Sequence, residues 1–268
     1  MRKRYMFMRY PEGKAKAVTL SYDDGVLQDM KFSDIITAHN MKCTFNLNSE
    51  YGRKDGLTKE QVEEYILSRG HEIAIHGYNH RMPGAVRPIE AIRDILDCRI
   101  ELEKKYGRII RGMAYPDAGI RFFTNTSTYE KVQNYLTELD IAYARSLDGD
   151  NDSFELPTDW YNWIPTAHHK NPKIMEYIDK FVNLNITPGM WRPRRVPRLF
   201  YLWGHSYEFD EKFDNNWDLL ERICEKLGGR EDTWYATNIE IYDYVKAYNS
   251  LVYSADESMI YNPTLHTI

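Results

Sequence analysis

Short apolar runs alternate along the chain with segments in which apolar residues recur every three or four positions. Residues 17–22 have the pattern of a buried strand, residues 27–39 carry a helical stripe, and residues 43–47 again resemble a strand. The same alternation continues to a last predicted helix at 239–251. Because strands that alternate with helices indicate a parallel sheet, we expect one α/β domain spanning residues 1–268. The pattern alone fits either an open doubly wound sheet or a closed or partly closed (β/α) barrel.

Local signals mark the ends of several predicted helices. Thr58 and Gln61 have the spacing of a capping box that begins a helix, and Gly70 is suited to end it. Pro88 is placed to begin a longer helix, and Gly107 to end it. Further strands are expected over residues 72–75, 109–116, 141–144, 199–203 and 233–237, and further helices over 132–139, 172–184 and 219–227. Since the carboxyl ends of parallel strands share one edge, side chains just after these strands are candidates for a common site.

Two segments interrupt the alternation. Residues 146–171 are rich in Asp, Asn, Pro and Trp, which is more typical of a functional loop than of a linker in a compact enzyme. Residues 192–198 form a basic patch interrupted by prolines, which is either a site for a substrate carboxylate or phosphate or a solvated loop.

Composition narrows the class of protein. The chain has 268 residues, 43% hydrophobic content and a net charge of -5, which disfavours nucleic acid and anionic membranes as partners. Cys43, Cys98 and Cys224 lie in apolar segments without metal-binding spacing, and we expect them to be reduced core residues. Arg9 interrupts the first apolar stretch before a signal peptide could form, and no stretch reaches transmembrane length. We therefore expect a cytoplasmic protein.

Carboxylates and histidines follow two of the predicted strands. Asp23 and Asp24 end the first strand, and two adjacent carboxylates repel each other unless a cation, an arginine or a shared proton lies nearby. His76 and His80 follow another apolar run and supply two neutral nitrogen donors. One carboxylate and two imidazoles are typical of a catalytic divalent metal, so we predict that Asp24, His76 and His80 bind one. Zn²⁺ is the first expectation by ligand type, and iron, cobalt and nickel are also compatible.

These motifs resemble those of the polysaccharide deacetylase family, the NodB-homology group of carbohydrate esterases. Ser21-Tyr22-Asp23-Asp24-Gly25 is similar to the family's Thr-Phe-Asp-Asp-Gly motif, and His76-Gly77-Tyr78-Asn79-His80 to its His-(Ser/Thr)-x-x-His motif. Gly77 also argues against a zinc protease, because it occupies the position of the glutamate in that class. The resemblance covers roughly residues 15–250 and implies a distorted, incomplete (β/α) barrel.

The resemblance also implies catalytic roles. Asp23 corresponds to the family's catalytic base, with direct or indirect support of the metal as the alternative. His205 corresponds by its order in the chain to a late histidine that protonates the leaving amine, with a hydrogen-bonded rim residue as the alternative. The backbone N–H of Asp117 corresponds to the family's oxyanion donor. We expect His168 and His169 to belong to an ordinary polar loop.

The third family motif, Arg-x-Pro-Tyr-Gly, is only partly present in residues 111–119. Ala114 stands where the arginine that orients the base is expected. Arg111 is the candidate to reach that place from an earlier position on the strand, with a surface salt bridge as the alternative. Gly77 replaces the Ser or Thr that normally braces the histidine loop. Trp160 and Trp163, in the irregular segment 146–171, are candidates for stacking on a sugar face, although packing in the core is commoner for tryptophan. We assign substrate contacts to Tyr115, Pro116, Trp160 and Trp203.

The predicted function is that of a metal-dependent hydrolase that removes the N-acetyl or O-acetyl group of a carbohydrate. One alternative is a related hydrolase of a small linear or cyclic amide, and another is a catalytically silent carbohydrate-binding barrel. The joint presence of Asp23, Asp24 and His205 argues against a silent barrel. The expected partner is an acetylated sugar or a small amide, with neither nucleic acid nor membrane.

Overall fold

Strands and helices alternate along the chain as the sequence predicts. The computed structural model describes residues 7–49, 55–147, 149–186 and 195–268. In chain order the elements are β1 (Lys16–Asp23), α1 (Gln28–Ala38), β2 (Cys43–Leu47), α2 (Lys59–Tyr65), β3 (Glu72–Ile75), α3 (Pro88–Tyr106), β4 (Gly112–Ala114), α4 (Tyr129–Glu138), β5 (Tyr143–Arg145), β6 (Ala167–His168), α5 (Ile174–Val182), β7 (Arg198–Gly204), α6 (Trp217–Leu227), β8 (Thr233–Tyr235), α7 (Asn238–Asn249), β9 (Val252–Tyr253) and β10 (Ile260–Tyr261).

A parallel sheet with β1 near its centre organises the molecule. The strand order is β5-β4-β3-β2-β1-β7-β6, and β8 pairs with the first residues of β1. Every pairing in this sheet is parallel. Trp163, shortly before the edge strand β6, forms a bridge to Arg145 of the opposite edge strand. The sheet is therefore an open, incomplete barrel, which confirms the predicted fold.

The two faces of β1 enter different parts of the core. All eight residues of this strand are buried, and their side chains alternate between the faces. Val18, Leu20 and Tyr22 pack in the larger hydrophobic cluster, which also contains the inner faces of α1 and α6. Ala17, on the other face, belongs to a second cluster. Burial on both faces is the expected condition for a strand inside a parallel sheet.

The second cluster fills the barrel at the amino-terminal ends of the strands. Trp163 lies at its centre, with ring centroids 5.3 Å from Tyr143 of β5 and 4.9 Å from Tyr201 of β7. Tyr244 and Val245 of α7 are buried in the same cluster. Aromatic side chains thus close this end of the barrel, and the polar strand ends lie at the opposite, carboxyl end.

Helix ends follow the predicted signals more closely than the short strands do. The Thr58 hydroxyl accepts a hydrogen bond from the Gln61 N–H, and the Gln61 side chain accepts one from the Thr58 N–H. Gly107 ends α3 with φ of 62°, in the left-handed region that favours glycine. The sequence did not predict β6 or the β9–β10 hairpin, because two-residue strands leave no alternating pattern.

Three expectations from composition can be compared with the structure. All cysteines are unpaired and buried, as predicted. Within the described ranges, no helix has both the length and the apolar character needed to cross a membrane. Residues 192–194 of the predicted basic patch lie outside the described residues. Its last member, Arg198, begins β7 and pairs with Glu155 at 3.4 Å.

Candidate active site

Strained backbone conformations follow the carboxyl ends of three strands of the sheet. Asp24, His80 and Asp117 follow β1, β3 and β4 and have φ values of 83°, 53° and 50°. Side chains with a Cβ rarely adopt this left-handed conformation, and each instance costs about 1–3 kcal/mol. Tertiary contacts compensate this cost; the Asp24 N–H, for example, donates to the Asn46 carbonyl at 3.0 Å. Strain of this kind is typical of residues held in place for function.

The three predicted metal ligands lie together at this edge. Asp24 Oδ1 is 3.8 Å from His76 Nε2 and 3.7 Å from His80 Nε2. Two atoms that each bind one tetrahedral ion at about 2.1 Å are about 3.4 Å apart, so small side-chain shifts would complete a coordination site. His76 Nδ1 is 3.0 Å from the Ala114 carbonyl, which fixes the proton on Nδ1 and leaves the Nε2 lone pair facing Asp24. Burial lowers the pKa of His76, which favours the neutral form that binds metals. The residues therefore fit a divalent cation.

Asp94 of α3 supports the loop that carries the two histidines, where this chain has Gly77 in place of the Ser or Thr of the family motif. Its Oδ1 accepts a hydrogen bond from the Asn79 N–H at 2.8 Å, and its Oδ2 accepts one from the Arg81 N–H at 3.3 Å. A Cβ added at Gly77 would lie 2.5 Å from Asp94 Oδ2, so the glycine makes room for this carboxylate. The missing Ser or Thr is replaced by an acid from a helix.

Asp23 is buried beside a guanidinium group. Arg145 Nη2 donates to Asp23 Oδ2 at 2.5 Å, and Asn46 Nδ2 donates to Asp23 Oδ1 at 2.8 Å. Burial alone would raise the pKa of Asp23, but the charges of Arg145, His76 and His205 and the Asn46 hydrogen bond outweigh it and lower the pKa. The carboxylate is therefore ionised and oriented while still lying within the site.

Arg145, not Arg111, is the arginine that orients Asp23. The Arg111 guanidinium contacts Asp243 of α7 at 2.7 Å, at the far end of the barrel. Because Arg111 precedes β4, its side chain projects toward the amino-terminal end of the strands. Arg145 ends β5, where its side chain reaches the site and is only 1% exposed. The prediction for Arg111 is wrong, and the alternative of a salt bridge is correct.

His205 lies on the other side of Asp23 from the arginine-bearing strand. It directly follows β7, and its Nε2 is 3.8 Å from Asp23 Oδ2. Its Nδ1 is 3.3 Å from Glu208 Oε2. Burial would lower the pKa of His205, but the Glu208 hydrogen bond and the charges of Asp23 and Asp24 raise it above its ordinary value. The ring is thus set to carry a proton toward the cleft.

Glu208 is surrounded by imidazole groups and lies near an ammonium group. His168 Nε2 and His169 Nε2 are 3.0 Å and 3.5 Å from its Oε2, and the Lys170 ammonium is 3.8 Å from its Oε1. These two histidines and Glu208 are spaced closely enough for a second cation. However, His168 Nδ1 accepts the Lys170 backbone N–H at 3.1 Å, so its proton is on Nε2 and the lone pair needed for a metal is absent. We interpret the group as a hydrogen-bonded support of His205 rather than a metal site or an ordinary polar loop.

Asp29 of α1 joins the loop after β1 to the loop after β7. Its Oδ2 accepts the Val26 N–H at 3.0 Å, and its Oδ1 accepts the Ser206 hydroxyl at 2.6 Å. Both Asp29 and Ser206 are fully buried, and burial raises the pKa of Asp29 to about 7. The pair fixes the spacing between the carboxylates and His205.

The third motif, residues 111–119, has some residues at the site and others in the core. The Tyr115 hydroxyl donates to the Tyr161 carbonyl at 2.8 Å, and both Tyr115 and Pro116 are buried. Their predicted substrate contacts therefore do not fit the structure. The exposed Asp117 carboxylate lies 3.7 Å from His80 Nδ1, and the use of its backbone N–H as an oxyanion donor stays a prediction.

The two predicted tryptophan contacts have different outcomes. Trp160 packs edge-on against Trp163 and Tyr242, with centroid distances of 4.8 Å and 5.0 Å, in the cluster at the amino-terminal end. It is therefore a partly buried residue that packs against this cluster, away from the site. Trp203 of β7 lies at the site, where the Arg145 guanidinium stacks over its ring at 4.6 Å. The Trp203 ring helps to hold the arginine and also lines a neighbouring cavity together with His168 and Lys170.

Five supporting residues were missed in the sequence: Asp29, Asn46, Asp94, Arg145 and Glu208. Each acts through a partner distant in the chain or through a loop whose shape the sequence does not reveal. Only Glu208 had a local signal, because a carboxylate three residues after a histidine can cap the turn that begins there.

Part of the chain is similar in sequence to a known protein family. A sequence model of the polysaccharide deacetylase family matches residues 10–141. This match includes β1 through α4 and all three candidate metal ligands. No curated protein sequence matches the chain.

Solved structures share the fold at low sequence identity. A protein from Mycobacterium smegmatis described as a polysaccharide deacetylase has a TM-score of 0.62 and 17% identity, covering 92% of this chain and 96% of that chain. A family 4 carbohydrate esterase from Streptomyces lividans, solved with acetate, has a TM-score of 0.53 and 12% identity, with coverages of 83% and 93%. A variant of a peptidoglycan deacetylase from Bacillus subtilis has a TM-score of 0.51 and 14% identity, with coverages of 88% and 94%. The likeness in fold thus extends beyond the part matched by sequence.

Proposed function

Because the chain belongs to the polysaccharide deacetylase family, we propose that it is a metal-dependent hydrolase that removes an acetyl group from a carbohydrate, most readily from an N-acetylated sugar. One observation carries the proposal. Asp23 lies 3.8 Å from both His76 and His205, so a candidate base adjoins both the ligand cluster and a candidate acid. Ester or amide hydrolysis needs all three kinds of group within reach of one carbonyl.

Asp24, His76 and His80 would hold the cation. When bound, a divalent cation polarises the acyl carbonyl and lowers the pKa of a coordinated water molecule. Zn²⁺ suits one carboxylate and two imidazoles, although the same donors accept other first-row ions. The strained backbone at Asp24 and the brace by Asp94 supply a preformed arrangement of these side chains.

Asp23 would act as the general base. Its pKa is lowered, so it is ionised and can accept a proton from the attacking water near neutral pH. Arg145 and Asn46 each contact one of its oxygens and restrict rotation of the carboxylate. Because the carboxylate cannot rotate freely, it keeps an orientation suited to proton transfer and does not replace Asp24 as a ligand of the cation.

His205 would act as the general acid. An aliphatic amine is a poor leaving group unless it is protonated as the C–N bond breaks. Glu208 holds the Nδ1 side of the ring, which directs Nε2 to the cleft beside Asp23. The raised pKa of His205 keeps a larger fraction of the ring protonated at neutral pH.

The test combines metal analysis with a substrate panel. Purified protein should contain about one equivalent of a divalent metal, and it should release acetate from N-acetylated oligosaccharides or from acetylated xylan. Chelation should remove the activity, and added Zn²⁺ or Co²⁺ should restore it. Turnover of cyclic or small linear amides without acetate release from any sugar would replace this proposal with the small-amide hydrolase. Absence of both metal and turnover would indicate a silent barrel.

A further inference from the structure

One face of β1 carries polar side chains although the whole strand is buried. Thr19, Ser21 and Asp23 occupy alternate positions, so all three point to the same face, away from the larger hydrophobic cluster and into the barrel. The neighbouring strand β2 places further polar residues beside them, with Thr44 opposite Ser21 and Asn46 opposite Asp23. Burying polar groups costs free energy unless they are hydrogen-bonded. The row is therefore stable only because its members bond to one another and to their neighbours.

Asn238, the first residue of α7, anchors this row at the closed end of the barrel. Its side chain is fully buried. Its Oδ1 accepts a hydrogen bond from the Thr19 hydroxyl at 2.8 Å, and its Nδ2 donates one to the Tyr201 hydroxyl at 2.5 Å. Its backbone N–H donates to the Thr44 hydroxyl at 2.9 Å. Residues of β1, β7 and β2 thus hold the first residue of one helix.

From Tyr201 the hydrogen bonds continue toward the carboxyl ends of the strands. The Tyr201 hydroxyl also bonds to the Ser21 hydroxyl. Ser21 Oγ accepts a hydrogen bond from Asn46 Nδ2 at 2.8 Å, and the same amide nitrogen donates to Asp23 Oδ1 at 2.8 Å. All of these side chains are buried. An unbroken path of side-chain hydrogen bonds therefore joins the start of α7 to the candidate base.

The path ends on one of the two contacts that orient Asp23. Arg145 holds one oxygen of this carboxylate, and Asn46 holds the other. Because Asn46 Nδ2 is shared between Ser21 and Asp23, the serine hydroxyl helps to decide where the amide points. Hydrogen bonds in a buried row polarise one another and fix a single arrangement, so removing one hydroxyl loosens the next contact along the path. The loosening reaches Asp23 through Asn46.

We propose that Asn238, Tyr201 and Ser21 are positioning residues that act on the general base through Asn46. The inference rests on the proposed function, because it takes Asp23 as the base. It extends the machinery of the reaction from the rim of the barrel to its closed end. The start of α7 thereby influences turnover without touching the substrate.

The experiment compares Tyr201→Phe with wild type on an N-acetylated oligosaccharide and on nitrophenyl acetate. The change removes only the hydroxyl and keeps the ring in the aromatic cluster. It should lower kcat about tenfold on both substrates, because both reactions need the base, and this is the lower end of the loss typical of supporting residues. KM and metal content should be unchanged. Ser21→Ala interrupts the same path one step later and should give the same pattern.

Tyr244→Phe is the matched control. Tyr244 belongs to the same aromatic cluster and lies on α7, but its hydroxyl donates to the Arg9 carbonyl at 2.7 Å. The control should lower the thermal unfolding temperature about as much as Tyr201→Phe does, and it should leave kcat unchanged. In the Asp23→Asn background, Tyr201→Phe should have no further effect on the residual ester turnover, because the hydroxyl acts only through Asp23.

Unchanged kcat in both Tyr201→Phe and Ser21→Ala would overturn the inference. An equal loss of kcat in Tyr244→Phe, or a further loss in the Asp23→Asn background, would also overturn it, because the effect would then be one of general stability. Failure of the proposed function is distinct, since wild type would then release no acetate from any sugar. If wild type hydrolyses only small amides, the same variants are measured on that substrate, where attack by water needs the same base.

Discussion

The two sides of the candidate site are assembled differently. On one side, Asp24, His76 and His80 come from two short motifs at the ends of β1 and β3, close together in the chain. On the other, Asp23 depends on Arg145, which is 122 residues away from it in sequence, and the acid His205 comes from the end of β7, much later in the chain than Asp23. The ligand side is thus encoded locally, whereas the side that moves protons is encoded by tertiary contacts.

The comparison shows which parts of such a site tolerate change. Coordinating atoms must have a given type and spacing, so their motifs persist in recognisable form. A supporting charge only has to occupy a given point in space, and any strand or helix that reaches the point can supply it. Arg145 on β5 and Asp94 on α3 both take roles that the family motifs place elsewhere.

The largest expected effect is on the ligand side. His76→Ala should lower both metal content and acetate release by about a thousandfold or more, because it removes one of three protein ligands and the cation supplies several kcal/mol of stabilisation. The barrel should stay folded, as judged by circular dichroism. His266→Ala, at an exposed histidine near the carboxyl terminus, is the control and should retain full metal content. A His76→Ala protein with normal metal content would show that the cation binds elsewhere.

A change at the acid should separate two classes of substrate. His205→Ala should lose amide deacetylation by about a hundredfold, because the amine then leaves without a proton. Activity toward nitrophenyl acetate should be largely kept, since that leaving group needs little protonation. Asp23→Asn should lose both activities and therefore provides the contrast. If His205→Ala loses both to the same extent, its role lies in binding the cation or in maintaining the fold.

Variants of two arginines compare Arg145, which orients Asp23, with Arg111, which forms a salt bridge away from the site. Arg145→Gln should lower kcat roughly ten- to a hundredfold with metal retained, the size typical of lost support for a functional side chain. Arg111→Gln should leave kcat unchanged, because its partner Asp243 lies on α7 away from the site. Thermal unfolding of both variants must be measured, since breaking the buried Arg145–Asp23 pair also destabilises the fold. If Arg111→Gln lowers kcat more than Arg145→Gln does, Arg111 and not Arg145 supports the site.

The pH profile should report the contact between Glu208 and His205. The Glu208 carboxylate helps to raise the pKa of His205, so Glu208→Gln should lower that pKa. The protonated acid would then be lost at a lower pH, and the basic limb of the kcat profile for amide hydrolysis should shift to lower pH. Glu211→Gln, on the exposed part of the same turn, should not shift it. An unmoved basic limb in Glu208→Gln would assign that limb to another group.

The smallest effect is expected at the Ser206–Asp29 hydrogen bond, which connects the loop after β1 with the loop after β7. Ser206→Ala removes the hydroxyl that binds Asp29, and it should lower amide turnover about three- to tenfold through misplacement of His205. Ester turnover and metal content should hardly change. Ser33→Ala removes another buried hydroxyl, one that bonds to the Tyr65 carbonyl, and is the matched control. Equal losses in the two serine variants would indicate a general effect on stability.

The sequence was sufficient for the fold and for bringing the candidate metal ligands to one edge of the sheet. Asp23, Asp24 and His76 follow apolar runs whose ends are easy to locate, and parallel strands place such residues on one edge. It was not sufficient for Arg145, because a three-residue strand does not reveal whether its last side chain points into the barrel or out of it. Trp160 was misassigned for a related reason, since its segment runs along β5 toward the closed end instead of lining the cleft.

The pairing of β1 with β7 has a consequence for how the protein is made. Lys16 pairs with Arg198, roughly 180 residues later, and the register continues to Tyr22 and Gly204 beside the site. Contacts between such distant segments are slow to form because a long loop must close first. During synthesis, the ligand motifs leave the ribosome well before β7 does, and one edge of β1 then has no strand to pair with. The chain therefore acquires its coordinating side chains early and its acid late, and β1, which is buried along its whole length in the folded protein, is exposed to incorrect pairing until β7 has been synthesised.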